Sequence, residues 1–315
     1  MPPSRRRAVP GRSPNYAALA TERANPRFRA LDRLPTEQLV AAITREDRRA
    51  AASVAAVRQP LARAVDLVAG ALGAGGRLVY AGAGTSGRLG VLDAAECPPT
   101  FGVSPGQVTG VIAGGRRALW RAVEGAEDRG ADARRALGRL RVGPQDVVCG
   151  ICASGVTPFA LAALREARRR GARTIAVTCA PSTRLRALTD VLVAPRPGPE
   201  VLAGSTRMKA GLATKMVLHT LTTGVMVRLG KVYGGLMVDL RPSSRKLRAR
   251  ALRIIGELTG LPPARARALA GRARGRPGVA LVMHRLGVDA ARARRRLAAH
   301  GGNLRAALGE GRRER

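Results

Sequence analysis

The sequence is short of aromatic residues, histidine and lysine. Aromatic side chains make up 2% of the 315 residues, so a core has to be built from Leu, Val, Ile and Ala, which the 45% hydrophobic content allows. No apolar run reaches the roughly 18 to 20 residues that a membrane span needs. No apolar stretch of signal-peptide length follows the basic start. The composition predicts a protein that neither spans a membrane nor carries a secretory signal.

Cysteine is also scarce, with four residues scattered along the chain. A chain of this length does not depend on so few cysteines as a disulfide framework. Cys149 and Cys152 form a C-x-x-C, but they stand in an apolar run typical of a strand, where a separation of three puts them on opposite faces. A redox or metal site is the alternative. We expect a cytoplasmic protein with reduced thiols and, because the histidines are far apart, no metal site. They are His219, His284 and His300.

Positive charge is the one property in excess, with a formal net charge of +35. Nucleic-acid binding is one interpretation. The other is compositional bias, because arginine is spread through the helix-like segments together with abundant Ala and Gly, as a GC-rich genome would produce. No aromatic residues are interleaved with the arginines to stack on bases. We therefore predict a small-molecule ligand and no nucleic-acid partner.

Short Val- and Ile-rich runs alternate with longer helical patterns in the middle of the chain. This alternation predicts an α/β fold in which a parallel sheet is covered on both faces. The predicted strands are 77–83, 108–113, 146–153, 174–179 and 191–194. The predicted helices between them lie near 87–96, 117–138, 158–170 and 182–189, and a long helix follows at about 206–229.

The segments outside this alternation lack strands. Residues 1–15 are rich in Pro, Arg and Ser and are predicted to be a disordered basic tail. Residues 16–54 are predicted to form an N-terminal helical arm, 55–240 the sheet domain, and 241–315 a small C-terminal helical region.

Two predicted strands end in loops rich in glycine and hydroxyl groups. The first loop contains Gly84, Thr85 and Ser86, and the second contains Ser154, Gly155 and Thr157. Glycine lets the backbone approach an anion, and hydroxyls and helix N-terminal amides then donate to phosphate oxygens. The alternative for each loop is an ordinary helix cap. Neither loop is a P-loop, and the first lacks the acidic residue that a dinucleotide site needs about 20 residues further on.

A third candidate loop precedes the long helix. Ser205 is a candidate cap for that helix and a candidate phosphate-binding residue, and Arg207 and Lys209 are candidates to hold a carboxylate or phosphate. A capped helix with a solvated basic first turn is the alternative. The acidic residues near the sheet are candidates for acid–base work, although each also fits a helix surface. They are Asp93, Glu96, Glu124, Glu127 and Asp128.

The run AGAGTSGRLGVLDAAECPPT at residues 81–100 resembles the signature of the N-acetylmuramic acid 6-phosphate etherases, members of the sugar isomerase (SIS) superfamily and relatives of the glucokinase regulatory protein. Further matches follow in order over nearly the whole chain beyond residue 16. They are TERANP at 21–26, IAGG at 112–115, AVEGAED at 122–128, ASGVTP at 153–158, GSTRMKAG at 204–211, GKV at 230–232, LMVD at 236–239 and HGG at 300–302.

The resemblance implies an SIS-type α/β/α sandwich and a lyase that needs no metal or organic cofactor. It places the two acid–base glutamates at Glu96 and Glu127. The phosphate-binding hydroxyls that it implies are those of Thr85, Ser86, Ser154 and Thr157. The implied reaction removes a proton at C2 of the opened sugar, releases lactate from C3 and adds water, giving N-acetylglucosamine 6-phosphate and D-lactate.

The sequence departs from the family pattern at Val156 and Ala24, where arginine is usual, and at Thr44, where asparagine is usual. Because Val156 adjoins the second loop, substrate identity is the property most open to change. The alternatives are a sugar-phosphate-sensing regulator without turnover and an aldose–ketose isomerase on the same fold.

The spacing of Glu96 predicts a homodimer. If a helix starts near Ser86, Glu96 lies ten residues further on, or roughly 15 Å, which exceeds the distance from the phosphate of a hexose 6-phosphate to its C3. Either the chain bends before Cys97, or Glu96 reaches the site of a neighbouring subunit. We favour the second arrangement because two-fold assemblies are the commonest.

Overall fold

The computed structural model describes residues 19–310. The predicted basic tail at 1–15 lies outside them. After two short 3₁₀ turns the chain forms α1 (Thr36–Ala55) and α2 (Arg58–Gly73). The buried positions of α1 recur every fourth residue, at Ala42, Glu46, Ala50 and Val54, so a single face packs inward.

A parallel sheet of five strands forms the centre of the molecule, in the order β2-β1-β3-β4-β5. Every residue of β1 and β3 is buried, as expected for a sheet covered on both faces. All five predicted strands are confirmed, each within its predicted segment or one residue from it. They are β1 (Leu78–Gly82), β2 (Val108–Ile112), β3 (Val147–Ile151), β4 (Arg173–Val177) and β5 (Val191–Val193).

Helices cover both faces of this sheet. The core on one face unites the strands with residues of α2, α3 and α7, and the core on the other face unites them with α4 and α5. The helices between β1 and the end of the sheet region are α3 (Gly84–Phe101), α4 (Gly130–Arg139), α5 (Pro158–Arg169), α6 (Thr183–Ala187) and α7 (Lys209–Arg228).

The prediction of one helix near 117–138 is wrong in its first half. That segment forms a 3₁₀ turn at Gly115–Leu119, an irregular stretch and a second 3₁₀ turn at Ala126–Asp128 before α4 begins. Gly125 lies within the predicted helix and has a positive φ angle, which interrupts a right-handed helix.

The C-terminal part is helical with its own core, as the sequence predicts. A short hairpin, β6 (Val232–Tyr233) and β7 (Leu236–Met237), precedes it. The apolar run 279–283 lies inside a helix that the other C-terminal helices surround. These helices are α8 (Arg245–Thr259), α9 (Pro263–Arg272), α10 (Pro277–Leu286), α11 (Ala290–Ala299) and α12 (Leu304–Leu308). The predicted domain boundaries stay a prediction.

The strand order creates a crevice between β1 and β3. These strands pair side by side, with Gly82 opposite Ile151, although β2 comes between them in the chain. The following helices, α3 and α5, therefore leave to opposite faces, which is the arrangement that opens a ligand crevice at the carboxyl end of a parallel sheet. None of the helices within residues 19–310 has the length and apolar character to cross a membrane.

Candidate active site

The first loop delivers open backbone amides to the crevice. Ala83 is extended, Gly84 has φ +52°, and α3 begins there without a side-chain cap. The amide of Gly87 donates to the carbonyl of Ala83 at 3.1 Å. The amides of Gly84, Thr85 and Ser86 precede it in the first turn and have no acceptor within the helix. The alternative of an ordinary Ser or Thr cap does not hold here, and an anion is the natural occupant of such a helix start.

Close packing holds this turn against the sheet. A Cβ atom on Gly82 would come within 2.9 Å of the amide nitrogen of Gly87, and one on Gly87 would lie 2.6 Å from the carbonyl oxygen of Gly82. Only glycine fits both positions, because contacts this short do not occur with a real Cβ atom. The backbone of the turn is therefore fixed before a ligand arrives.

The second loop is held by its own hydrogen bonds. Gly155 has φ +74°, and a Cβ atom on it would lie 2.0 Å from the carbonyl oxygen of Ala180. The Ser182 hydroxyl donates to the carbonyl of Gly155 at 3.0 Å, and the Thr157 amide donates to Sγ of Cys152 at 3.3 Å. These bonds present the hydroxyl groups of the loop to the crevice in a defined arrangement.

Both loops line one cavity of about 510 Å³. Of the predicted binding residues, those that line it are Gly84, Thr85, Ser86, Ser154 and Thr157. Gly155 lies in the second loop between lining residues. Gly204 and Thr206 of the third loop contribute to the wall, as do Leu19 and Glu22 of the N-terminal segment.

Glu127 lies in this cavity, whereas Glu96 does not. Glu127 stands on the 3₁₀ turn Ala126–Asp128, and buried Ala126 anchors that turn in the core formed with α4 and α5. Glu96 is exposed on α3, which runs as a helix from Gly84 through Phe101 with both prolines inside it. The chain therefore does not leave the helix before Glu96.

Asp93, one turn before Glu96, is a buried connector. It accepts hydrogen bonds from the hydroxyl groups of Tyr80 on β1 at 2.8 Å and Thr222 on α7 at 2.9 Å. Burial raises the pKa of Asp93 above its usual value. This acid therefore fixes α3 against the sheet and α7. The sequence made Asp93 a candidate for acid–base work that also fits a helix surface, although a tyrosine inside a buried strand signals a buried partner.

Lys209 is buried rather than directed into the cavity. Its ammonium group forms an ion pair with Glu46 of α1, and its backbone amide donates to the Glu200 carboxylate at 3.0 Å. The same carboxylate accepts from the amide of Ala210 at 2.9 Å, and burial raises its pKa. Glu200 thus fills the capping role at α7 that the sequence assigned to Ser205. That assignment is wrong, because α7 begins at Lys209.

All four cysteines are buried free thiols. Burial raises the pKa of Cys97 and of Cys179 to about 12, which keeps both thiols protonated and unreactive at neutral pH. Within the described part of the chain, no group of three or more His, Cys, Asp or Glu side chains is arranged to hold a metal ion.

Comparison with known proteins agrees with this geometry. The family model described as "Glucokinase regulatory protein N-terminal SIS domain" matches residues 60–168, and the model described as "SIS domain" matches residues 130–224. The fold and the paired loops define an SIS-domain protein.

Curated relatives narrow the class to one family. An N-acetylmuramic acid 6-phosphate etherase of Rubrobacter xylanophilus is 54% identical over 94% of this chain and 97% of its own length. The etherase of Salmonella choleraesuis is 49% identical over 93% of this chain and 99% of its own. A phosphoheptose isomerase structure from Francisella tularensis matches with a TM-score of 0.47 at 17% identity, covering 62% of this chain and all of that one. The chain belongs to the N-acetylmuramic acid 6-phosphate etherase family and is an enzyme of the carbon–oxygen lyase type.

Proposed function

We propose that this enzyme cleaves the D-lactyl ether of N-acetylmuramic acid 6-phosphate to give N-acetylglucosamine 6-phosphate and D-lactate. The observation that carries the proposal is the meeting of two hydroxyl-bearing loops with Glu127 in one cavity. The names of the relatives, which match almost their whole length, support the same reaction.

The phosphate group binds between the two loops. The open amides of α3 and the hydroxyls of Thr85, Ser86, Ser154 and Thr157 supply donors on two sides. Among the described residues that line the cavity there is no lysine or arginine. Neutral donors and the positive ends of α3 and α5 therefore stabilise the phosphate.

The reaction needs one group to remove a proton and another to supply one. A carboxylate removes the proton at C2 of the opened sugar, next to the C1 carbonyl. The electron pair forms the C2–C3 double bond as the C3–O bond breaks, and a carboxylic acid protonates the departing lactyl oxygen. Water then adds at C3 and a proton returns to C2. Glu127 and Glu96 form this acid–base pair, because a carboxylate can accept a proton and a carboxylic acid can donate one.

Glu96 enters the cavity from a second copy of the chain. α3 places Glu96 about 15 Å along the helix from the first loop, and Glu96 faces solvent next to an unusually exposed Leu92, at 48%. A two-fold dimer that buries this face of α3 supplies each cavity with its second glutamate. The homodimer acts in the cytoplasm, where the four free thiols stay reduced.

The deciding experiment is D-lactate release from N-acetylmuramic acid 6-phosphate by the purified protein. We expect stoichiometric lactate and N-acetylglucosamine 6-phosphate. A protein that binds the sugar phosphate without turnover is a sensor, and one that interconverts an aldose and a ketose phosphate is an isomerase. Either result, or no lactate at micromolar enzyme, contradicts the proposal.

A further inference from the structure

A third carboxylate, that of Glu22, lines the same cavity as the two loops and Glu127. It belongs to the N-terminal segment 19–25, which precedes the helices. We propose that Glu22 accepts a hydrogen bond from an O–H or N–H group of the bound amino sugar, and so selects for the sugar rather than for its phosphate. This inference rests on the proposed function, because it assumes a phosphorylated amino sugar in the cavity.

Hydrogen bonds anchor the segment on both sides of Glu22. Before it, the amide of Gly204 donates to the carbonyl of Thr21 at 3.1 Å. After it, the side-chain amide of Asn25 donates to the carbonyl of Pro199 at 3.2 Å. Thr21 and Asn25 are only 5% and 8% exposed. Glu22 is therefore held in place at the wall of the cavity, on a segment docked against the third loop.

Among the described residues, contacts orient the carboxylate of Glu22 but no ion pair neutralises it. Its Oε1 atom accepts from the Thr21 hydroxyl at 3.2 Å. Its Oε2 atom lies over Gly204, where an added Cβ atom would come within 3.0 Å of it. Among the ion pairs formed within residues 19–310, none involves Glu22. One oxygen thus keeps its capacity to accept a hydrogen bond from a ligand.

The charge of the cavity decides what kind of ligand group Glu22 faces. Glu22, Glu127 and Asp128 are all acidic, and no lysine or arginine is among the described lining residues. A carboxylate beside a phosphate dianion is repulsive, whereas a carboxylate facing an O–H or N–H group forms a strong charge-assisted hydrogen bond. Glu22 should therefore favour a sugar phosphate and disfavour bare phosphate.

The test follows from the opposite effects that Glu22 should have on the binding of a sugar phosphate and of inorganic phosphate. The full chain is prepared as wild type, Glu22→Ala and Glu22→Gln, with Glu37→Ala as a control at an exposed acid of the first turn of α1. Calorimetry measures the Kd of N-acetylglucosamine 6-phosphate and of inorganic phosphate. We expect Glu22→Ala to raise the Kd of the sugar phosphate about tenfold or more. The Kd of inorganic phosphate should stay unchanged or fall. Glu22→Gln, which keeps an acceptor oxygen, should lie between, and Glu37→Ala should match the wild type.

Two outcomes overturn the inference. If the Glu22 variants bind both ligands more weakly to the same extent, Glu22 only shapes the cavity. If they bind both ligands as the wild type does, Glu22 does not contact the ligand. D-lactate release by the wild-type sample separates this question from the proposed function. If the wild type releases lactate while the Glu22 variants bind like it, only the role of Glu22 fails. If the wild type binds the sugar phosphate in a Glu22-dependent way but releases no lactate, only the etherase reaction fails.

Discussion

Glu127 and Glu96 are the same residue type and form one proposed acid–base pair, yet the fold places them differently. Glu127 lies on a 3₁₀ turn at the wall of the cavity. Glu96 lies on an uninterrupted helix that carries it away from the loop at which that helix starts. A helix of fixed rise separates groups along its axis, whereas an irregular excursion can return a side chain to the strand ends. Under the proposed assignment, a single subunit is complete for binding and incomplete for chemistry.

The largest effect is expected from a substitution that removes the charge of Glu127, the glutamate inside the cavity. We expect Glu127→Gln to abolish D-lactate release while the Kd of N-acetylglucosamine 6-phosphate stays within about tenfold, or roughly 1.4 kcal/mol. The physical reason is that the amide keeps the shape of the side chain but cannot exchange a proton. Glu124→Gln, three residues earlier and outside the cavity lining, is the control. Full activity of Glu127→Gln would show that the role assignment is wrong.

Mixing two inactive variants tests whether Glu96 acts across an interface. In a dimer of Glu96→Gln with Glu127→Gln, one of the two cavities keeps both glutamates. With random exchange between subunits we expect about a quarter of the wild-type lactate release, because half the dimers are mixed and each has one working site. Lactate release is measured before and after exchange, which labelled subunits verify. Absence of recovery despite proven exchange would place both glutamates in one subunit.

Substitution of Asp93 tests how much its hydrogen bonds to β1 and α7 stabilise the fold. Asp93→Ala leaves the hydroxyls of Tyr80 and Thr222 without their acceptor, so we expect the free energy of unfolding to fall by about 2–5 kcal/mol. Burial raises the pKa of Asp93, so the folded chain binds its proton more tightly than the unfolded chain. The stability that this proton adds to the folded chain is complete at pH values below the pKa of Asp93 in the unfolded chain. It is lost as the pH rises through the pKa of Asp93 in the folded chain.

Chemical unfolding at several pH values between about 4 and 7 measures this slope. Asp93→Asn keeps an acceptor oxygen and has no titration, so it should be less destabilised and should lack the contribution of Asp93 to the slope. An Asp93→Ala variant as stable as the wild type would contradict the connector role.

The smallest expected effect is at the second loop. Ser154→Ala should weaken sugar-phosphate binding by about 1.5–3 kcal/mol, the range for one hydrogen bond to a charged group. We expect kcat to fall less than kcat/KM. Ser205→Ala, outside the cavity lining, should change binding little. Titration calorimetry with N-acetylglucosamine 6-phosphate measures both. Equal effects of the two substitutions would mean that the second loop does not hold the phosphate.

Much of the fold could be predicted, because its signals are local. Parallel strands in the interior leave short runs rich in Val and Ile, and all five strands of the sheet fall on such runs. The error at 117–138 has a local cause as well: Gly125 adopts a positive φ angle, and glycine in a sequence only permits that conformation without requiring it.

The site shows where local signals end. The two loops are recognisable because an anion site needs glycine, hydroxyls and a helix start at consecutive positions. The pairing of Lys209 with Glu46 joins residues 163 positions apart, and no local pattern announces it. The presence of Glu22 in the cavity depends in the same way on a segment that docks onto a loop far along the chain.

The sequence by itself determined the parallel sheet, the two loops rich in glycine and hydroxyl groups, and the family, since each of these depends on runs of neighbouring residues. Only the tertiary structure decided that Glu127 lines the cavity with Glu22, that Lys209 is held in the interior and that Glu96 points away. The physical reason is that hydrogen-bonding patterns and apolar periodicity are properties of neighbouring residues. The position of a charged side chain depends instead on which distant groups fold against it, since a buried charge requires a partner.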